Sequence, residues 1–498
     1  MYLLGLDIGS SSIKAAIVNA YNKQAVATAS FPSTEMTIHA PQLSWAEQDP
    51  DMWWEYASKA IKICLNSASI DSSAIKAIGI SYQMHGLVAV DKQGKPVRPS
   101  IIWCDSRAVN IGDLAAESLG VEFCSAHYLN TPGNFTASKI KWVKENEPHI
   151  YEKIDKIMLP GDYIAFKMTG QISTTISGLS EGVLWDFKEN GTATDLLNHY
   201  GIEKSLLPEI RPTFSHQGML KDDAAKFLGL PQGIAVSYRA GDQPNNAMSL
   251  GVFEPGQIAG TGGTSGVVYA VTDQLVSDPD MRVNSFAHVN YQDHDPRVGV
   301  LLCINGCGIQ YGWLRKLLGQ EEVSYFDLEK KAAEIAVGSE GLSIISFGNG
   351  AERMLKNEDP GAQILNLNFN IHHQEHIYRA ALEGIAFAFY YGIQSMQQMG
   401  ISVNEMRVGN DNLFQSNIFS KTLATLSGAS IHIVETTGAI GAALGAGVGI
   451  NHFSTLQEAF SNQTINKTIQ PDKNPAVYQD AYEAWSHQLN KFINKKSV

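Results

Sequence analysis

The sequence predicts an α/β protein with two domains that share one plan. The chain has 498 residues, too many for a single hydrophobic core, so at least two domains are expected. Segments with the apolar pattern of strands alternate with segments that have the pattern of helices, which favours mixed α/β sheets. Two similar glycine-rich turns lie about half a chain apart, and this long repeat indicates duplicated domains.

Each glycine turn connects a pair of predicted strands. In LGLDIGSSSIKAAIV, residues 3–8 and 13–18 are predicted strands, and residues 9–12 form the turn between them. In GQIAGTGGTSGVVYAVTD, strands are predicted at 258–259 and 267–270. The cores of the two turns align, with Gly9 opposite Gly263.

Further helices and strands follow each turn. DPDMWWEYASKAIKICL predicts a helix with Asp49 as N-cap and Pro50 at the first helical position. AIGI and LVAV are predicted strands, and VGVLLCINGCGIQYGWLRKLLG predicts a strand, a glycine turn and a helix. HIYRAALEGIAFAFYYGIQSM and PAVYQDAYEAWSHQLNKFI predict helices, and VNEMRVGNDN predicts a strand and a turn. We expect the junction between Asn245 and Glu254, with domains 1–245 and 246–498 packed closely around a cleft.

Composition excludes several classes of protein. A formal net charge of −13 and a pI near 5.5 argue against a nucleic-acid-binding or anionic-membrane-binding surface. The five scattered cysteines do not resemble a disulfide framework, and Asp7 interrupts the N-terminal apolar run, so no signal peptide is expected. The apolar stretch at 439–450 is too short to span a bilayer. A cytoplasmic protein is therefore expected.

The glycine turns have the composition of anion-binding sites. A Gly/Ser/Thr turn between strands directs several N–H groups to one point. Hydroxyl groups add further donors at Ser10, Ser11, Ser12, Thr264 and Ser265. Asp7 precedes the first turn, where its carboxylate would repel phosphate unless Mg²⁺ lay between them. Plain hairpins that bind no ligand are the alternative.

Asp242 and the segment QMHG, which begins at Gln83, contain the other candidate functional residues. Asp242 follows a short apolar strand beside the expected junction, where its carboxylate could accept a proton from a substrate hydroxyl during phosphoryl transfer. The alternative for Asp242 is an N-cap of the next helix. QMHG lies between two strands, an unusual place for an amide, a thioether and an imidazole in succession. The alternative for His85 is an imidazole satisfied by the backbone at a strand end.

These segments together resemble the FGGY carbohydrate kinases, and the xylulokinase branch of that family most closely. The resemblance extends from Leu4 to about Gly447, nearly the whole chain. The motifs follow the family's order: LGLDIGSSSIKA, WAEQDPDMWW, AIGISYQMHGLVAVD, IIWCDSR, FTASKIKWVKEN, LPGDYIAFKMTG, GQIAGTGGTSG, HIYRAALEG and ETTGAIGAALGAG. The first motif and GQIAGTGGTSG are similar to the family's two phosphate turns.

The resemblance implies a fold and a reaction. The fold is α/β and actin-like, as in ATPases of that type, with two ribonuclease-H-like domains and an active site in the cleft between them. ATP and Mg²⁺ are the implied cofactors, with the nucleotide mainly on the second domain and the sugar mainly on the first. The implied reaction phosphorylates D-xylulose to D-xylulose 5-phosphate. The implied partners are these small molecules, with no nucleic acid and no membrane, and a homodimer is left open.

Matching the motifs also implies roles for individual residues. Asp242 is the implied catalytic base, and Asp7 and Asp242 are the residues implied to lie near Mg²⁺. The residues implied to contact the sugar are Gln83, Met84, His85, Asp105 and Gln243. The residues implied to contact ATP are Ser10, Ser11, Ser12, Lys14, Gly263, Thr264, Gly306, Gln310, Gly409 and Asn410. Glycerol kinases have an Arg-Glu pair where this chain has Met84 and His85, which argues against glycerol.

The chain departs from the family pattern at four places, and other functions are considered beside the main one. Cys104 and Gln243 stand where Asn is commoner, Asn366 replaces a glycine, and Gly409-Asn410-Asp411 replaces a glycine triplet. A kinase for L-ribulose, L-fuculose, gluconate or another polyol is the alternative enzyme. An actin-like nucleotide-binding chaperone or assembly protein would not need QMHG or WCDSR. A catalytically silent sugar sensor is disfavoured because Asp7, Thr264 and Asp242 are all present.

Overall fold

The computed structural model describes residues 1–410 and 412–493 of the chain. The strands up to residue 241 are β1 (Tyr2–Ile8), β2 (Ile13–Asn19), β3 (Ala25–Phe31), β4 (Glu47–Gln48), β5 (Ile75–Tyr82), β6 (Val88–Val90), β7 (Ser100–Ile101), β8 (Lys156–Met158), β9 (Ser173–Thr174), β10 (Trp185–Asp186), β11 (Gly191–Thr192), β12 (Glu209–Ile210) and β13 (Ala235–Gly241). The helices up to residue 249 are α1 (Pro50–Ala68), α2 (Val109–Leu119), α3 (Val121–Tyr128), α4 (Thr136–Asn146), α5 (Pro148–Tyr151), α6 (Pro160–Thr169), α7 (Ile176–Glu181), α8 (Thr194–Tyr200), α9 (Asp222–Leu228) and α10 (Asp242–Ser249).

The second half continues the alternation of strands and helices. Its strands are β14 (Gln257–Gly262), β15 (Gly266–Thr272), β16 (Asn284–Ala287), β17 (Val298–Ile304), β18 (Ser343–Phe347), β19 (Gly361–Leu365), β20 (Glu405–Gly409), β21 (Ser430–Val434) and β22 (Ile465–Ile469). Its helices are α11 (Cys307–Leu317), α12 (Tyr325–Ala332), α13 (Gln374–Gln398), α14 (Asn412–Gln415), α15 (Asn417–Ser427), α16 (Gly438–Gly449), α17 (Leu456–Ala459) and α18 (Pro475–Ile493).

The two halves contain sheets with the same strand order. The first sheet runs β3-β2-β1-β5-β13, with the first three strands antiparallel and β5 and β13 parallel to β1. In the second sheet, β17-β15-β14-β20-β21 repeats this order and these directions. Strands β16 and β22 extend the second sheet at its two edges. This correspondence confirms the predicted α/β fold with a duplicated plan.

Local sequence accounts for the helix that follows the first three strands. The carboxylate of Asp49 accepts a hydrogen bond from the main-chain N–H of Asp51, and Pro50 occupies the first turn, as predicted. Trp53, Ala57 and Ile61 are fully buried against the sheet. The predicted start of α1 is therefore confirmed.

The Gly/Ala-rich helix α16 belongs to the second half of the sequence but packs on the first sheet. A Cβ on Gly5 of β1 would lie 1.8 Å from the carbonyl oxygen of Ala439, and one on Gly79 of β5 would lie 1.9 Å from that of Ala442. The composition of α16 and of the facing strands thus permits backbone-to-backbone contact that larger side chains would prevent.

A second connection joins the halves at edge strand β16. Asn130 donates to the carbonyl oxygen of Ser285 (2.6 Å) and accepts from its N–H (3.1 Å). The Ser177 hydroxyl donates to the carbonyl oxygen of Ala287, and the N–H of Ala287 donates to the Ser180 hydroxyl, both at 3.0 Å. Side chains of the first half therefore satisfy the open edge of the second sheet.

Across residues 1–410 and 412–493, every helix is too short or too polar to cross a lipid bilayer.

Candidate active site

The first glycine turn, residues 9–12, is held in place by hydrogen bonds, including one from the side-chain amide of Gln48. The N–H of Gly9 donates to the carbonyl oxygen of Ser12 (3.2 Å), which closes the turn between β1 and β2. The side chain of Gln48 donates to the carbonyl oxygen of Ser10 (2.8 Å), and Trp103 donates to the Ser10 hydroxyl (3.3 Å). Ser11 remains exposed. The turn is thus anchored on its protein side and open to solvent at Ser11.

Asp7 lies at the end of β1 beside this turn. Its Oδ1 accepts a hydrogen bond from the Ser81 hydroxyl (3.0 Å), and its Oδ2 lies 3.9 Å from Nζ of Lys14. A Cβ on Gly438, the first residue of α16, would lie 3.0 Å from Asp7 Oδ2. The site around Asp7 therefore combines the first sheet with the N-terminus of a helix from the second half of the chain.

Asp242 is the first residue of α10 and lies near Asp7. Gly241 occupies the N-cap position of α10, and Asp242 stands one residue later, inside the helix. The alternative that Asp242 is the N-cap is therefore wrong. Burial and the negative charge of Asp7 raise the pKa of Asp242 to about 7, against the lowering effect of hydrogen bonds from Gln243. Asp242 is therefore a stronger proton acceptor than an ordinary aspartate once it is ionised.

His85 is fixed by contacts on nearly every side. Its φ of 60° lies in the left-handed region. Its Nδ1 lies 2.7 Å from the carbonyl oxygen of Glu181, which only accepts, so Nδ1 carries the proton and Nε2 is an acceptor. Burial and the positive charge of Lys139 lower the pKa of His85 to about 3, so the imidazole is neutral at pH 7. The ring packs against Phe135 (centroids 4.9 Å apart) and Phe286 (5.3 Å).

Met84 connects His85 to the segment that contains Asp242. Its side chain is buried, and a Cβ on Gly241 would lie 2.6 Å from Met84 Cγ and 2.3 Å from Glu181 Oε2. The structure therefore brings Met84 and His85 into one site with Gly241 and Asp242, although they lie about 150 residues apart in the chain.

Two further residues predicted to contact the sugar, Gln83 and Asp105, form hydrogen bonds within the protein. Gln83 is buried and its amide donates to Gln48 (3.2 Å), so it connects QMHG to the support of the first turn. The Asp105 carboxylate is fully buried and accepts from the N–H of Ala46 (2.6 Å) and from Arg107 (2.6 Å). Direct contact of either side chain with a sugar stays a prediction.

The second glycine turn borders a cavity of about 380 Å³. Gly263 and Thr264 line one side, and Thr264 is exposed. The other lining residues are Gly308, Ile309, Tyr311, Tyr325, Phe326, Glu329, Leu382, Leu413, Gln415 and Ser416. A cavity with a nest-forming turn at one end and aromatic walls has the chemistry to hold a phosphate group attached to a planar base.

The other predicted ATP contacts of the second half, Gly306, Gln310, Gly409 and Asn410, lie at α11 and at the end of β20 and do not line this cavity. Gly306 has φ 74° and precedes α11, while the amide atoms of Gln310 are enclosed and have no hydrogen-bond partner within the described ranges. Gly409 ends β20, and Asn410 donates to the Glu435 carboxylate (3.2 Å). Asp411 lies outside the described residues. The unpartnered amide of Gln310 is the clearest sign among these residues of a group that awaits a ligand.

Sequence reasoning missed the residues that hold His85 and the aromatic walls of the cavity. Lys139, which lies within the motif FTASKIKWVKEN, donates to the carbonyl oxygens of His85 (2.8 Å) and Ile102 (3.0 Å). Glu181 lies in no motif and had no sequence signal. The adjacent exposed aromatics Tyr325 and Phe326 could have been noticed, because exposed aromatic pairs often mark binding surfaces.

Both halves of the chain match models of one protein family. The model for the N-terminal domain of the FGGY family of carbohydrate kinases matches residues 2–249, and the model for its C-terminal domain matches residues 258–450. Xylulose kinases from Staphylococcus xylosus and Escherichia coli K12 are each 28% identical to the chain, over 97% and 99% of its length and 99% of their own. The crystal structure of xylulose kinase from Rhodospirillum rubrum superposes with a TM-score of 0.88 at 25% identity, covering 99% of this chain and all of that one. The chain therefore belongs to the FGGY family of carbohydrate kinases, which phosphorylate sugars with ATP.

Proposed function

We propose that the sugar is D-xylulose and that the product is D-xylulose 5-phosphate. The observation that carries this proposal is the placement of Met84, His85 and Asp242 at one site. A neutral imidazole with an accepting Nε2 can bind a sugar hydroxyl, and the ionised Asp242 can accept the proton of the hydroxyl that reacts. The similarity of the whole chain to proteins named xylulose kinase supports the same sugar.

The proposed transfer uses each group for one task. Asp242 accepts the proton of the sugar's 5-hydroxyl as that oxygen forms a bond to the γ-phosphorus of ATP. The bond from the γ-phosphorus to the bridging oxygen breaks, and ADP leaves with that electron pair. The N–H groups of the turn at Gly263 and Thr264 bind the phosphate oxygens, with further donors from the turn at Ser10 to Ser12 and from Lys14. Gln243 donates a hydrogen bond to Asp242 and would contact the sugar from that position.

We propose that Mg²⁺ binds at this site together with ATP. The described ranges contain no cluster of three or more His, Cys, Asp or Glu side chains that could hold a metal ion. Mg²⁺ commonly uses one or two carboxylates together with phosphate oxygens and water, and Asp7 and Asp242 supply such a pair. When bound, Mg²⁺ would offset the negative charge of the phosphates. A cytoplasmic location stays a prediction, and the homodimer stays open.

A panel of sugars tests the proposed substrate. The purified protein with Mg²⁺ and ATP is offered D-xylulose, L-ribulose, L-fuculose, gluconate and glycerol, and formation of ADP is followed. We expect the highest kcat/KM with D-xylulose and a phosphate ester at its C5 in the NMR spectrum. A higher kcat/KM with another sugar would assign that sugar instead, and ADP formation that no sugar stimulates would contradict the proposed activity as a whole.

A further inference from the structure

The conformation of His85 requires a support that the family motifs do not include. A residue other than glycine in the left-handed region costs about 1 kcal/mol or more, so surrounding contacts must hold it there. Lys139 binds the carbonyl oxygen of His85, and Phe135 and Phe286 pack against its ring. These three contacts leave the N–H and Nδ1 of His85 to be satisfied by another residue.

Glu181, the last residue of α7, satisfies both of these groups. Its side-chain Oε1 accepts from the N–H of His85 (3.3 Å), and its main-chain carbonyl oxygen accepts from Nδ1 (2.7 Å). One residue thus fixes the backbone and the ring of His85 together. Because the second bond places the proton on Nδ1, it also leaves Nε2 as the acceptor that would face a sugar hydroxyl.

The surroundings of Glu181 favour an uncharged carboxylic acid. The side chain is fully buried, and Oε2 has no hydrogen-bond partner among the residues that the structure describes. Burial raises the pKa of Glu181 well above its usual range, and the negative charges of Asp242 and Asp162 raise it further, against the opposing charge of Lys139. An ionised Glu181 would also raise the pKa values of the nearby tyrosines Tyr82 and Tyr269. An uncharged acid here adds no further repulsion to the ionised form of Asp242.

Glu181 also supports the segment that presents Asp242. A Cβ on Gly241 would lie 2.3 Å from Glu181 Oε2, so the carboxyl group packs directly on the residue that precedes Asp242. The same position would lie 2.6 Å from Met84 Cγ. Glu181 is therefore in contact with the loop that contains His85 and with the segment that contains Asp242.

We propose that Glu181 is a positioning residue of the sugar site, which holds His85 so that Nε2 of the imidazole accepts a hydrogen bond from the substrate. This inference rests on the proposed function, since it assigns His85 to sugar binding. Glu181 does not touch the sugar itself, because it is fully buried. Its effect reaches the sugar through His85.

Substitution of Glu181 separates positioning from general support of the fold. Glu181→Gln keeps an uncharged acceptor of the same shape, so we expect kcat/KM for the sugar within about threefold of wild type. Glu181→Met keeps much of the volume but removes the acceptor for the His85 N–H, so KM for the sugar should rise about tenfold. KM for ATP should stay within about twofold, because the nucleotide cavity lies on other elements. Glu181→Ala replaces the Met variant if that variant does not fold.

Two controls identify His85 as the route of the effect. Leu179→Ala removes a buried side chain from the same helix, so it should lower the melting temperature and leave KM for the sugar unchanged. In a His85→Ala background, Glu181→Met should raise KM no further. An unchanged sugar KM in Glu181→Met, a Gln variant as impaired as the Met variant, or additive effects with His85→Ala would each overturn the proposal.

The same series distinguishes failure of this inference from failure of the proposed substrate. Wild-type protein that phosphorylates another sugar in preference to D-xylulose contradicts the substrate alone, and the Glu181 variants are then measured with that sugar. Wild-type activity on D-xylulose with no change in Glu181→Met contradicts the positioning role alone.

Discussion

The pKa of Asp242 determines how the rate of the reaction should depend on pH. Burial and Asp7 raise this pKa to about 7, and only the ionised form accepts a proton. We therefore predict that kcat/KM for the sugar falls about tenfold per pH unit below about pH 7. Initial rates at limiting sugar, measured across this range with a pH-stable coupling assay, check this. A flat profile down to about pH 5 would contradict the raised pKa.

The sequence predicts Asp242, Met84 and His85 as candidate site residues because each lies in a segment that resembles the family, in the family's order along the chain. The sequence leaves two roles open for Asp242, catalytic base and N-cap, because an Asp at the start of a helix is compatible with either role. Glu181 could not be predicted from the sequence, because α7 contacts the QMHG loop only in the tertiary fold. A buried Glu without a charged neighbour in sequence has no local signal.

At the scale of elements, the second glycine turn provides a clean test of nucleotide binding. A Cβ on Gly263 would meet nothing within 4 Å, so Gly263→Ala should fold as wild type does. Gly263 lines the cavity where phosphate is proposed to bind, so the added methyl group would take up space beside the ligand. We predict that KM for ATP rises about tenfold with little change in sugar binding, as measured by kinetics and by calorimetry.

Gly306 and Gly308 are less suitable for this purpose. Gly306 has φ 74°, so the backbone of Gly306→Val would be strained whether or not the residue contacts ATP. A Cβ on Gly308 would lie 2.2 Å from the carbonyl oxygen of Gly263. Either substitution would lower stability together with nucleotide affinity. If Gly263→Ala left KM for ATP unchanged, the proposed phosphate site at this turn would be wrong.

The contact between α16 and the first sheet predicts a large effect on stability. A Cβ on Gly79 would lie 1.9 Å from the carbonyl oxygen of Ala442, a clash with backbone that cannot rotate away. We predict that Gly79→Ala lowers the free energy of unfolding by about 3 kcal/mol or more, measured by denaturant titration. Gly409→Ala is the matched control, since its Cβ would meet nothing within 4 Å. Equal stability of the two variants would contradict the close packing of α16.

The elements themselves could be predicted better than their partners. The hydrophobic period located α1, β14 and α13, and the capping residues located the start of α1, because these signals are local. Nothing in AIGAALGAGVGI indicates that α16 packs on the first sheet. That packing depends on Gly5 and Gly79, which lie more than 350 residues away in the chain.

At the scale of the whole molecule, the contacts between the halves indicate how the cleft can close. Four hydrogen bonds join Asn130, Ser177 and Ser180 to edge strand β16, and α16 packs on the first sheet. In the proposed reaction, donors from both glycine turns bind the phosphates of ATP, so the turns contact the ligand rather than each other. We expect the halves to rotate about the bonded regions while the turns approach across the ligands.

Solution scattering tests this closure. With D-xylulose and a nonhydrolysable ATP analogue both present, the radius of gyration should be smaller than that of the protein alone. Sugar alone or nucleotide alone should give a smaller change, because each occupies only one side of the cleft. An unchanged radius at saturating concentrations of both ligands would contradict closure.

The domain boundary between residues 245 and 246 stays a prediction. Limited proteolysis can test it, since cleavage near residues 250–256 is expected if the junction lies there.

The replacement Asp242→Asn tests whether Asp242 accepts the proton of the sugar hydroxyl. Asn keeps the shape but cannot accept that proton, so turnover should fall by about 10²–10⁴-fold while sugar affinity changes far less. Stability should not fall. Because the raised pKa means that the ionised carboxylate destabilises the folded state as pH rises from about 4 to 7, Asn should raise the melting temperature at about pH 8 and leave it unchanged near pH 4. Turnover of D-xylulose by Asp242→Asn at the wild-type rate would contradict the role of Asp242 as the catalytic base.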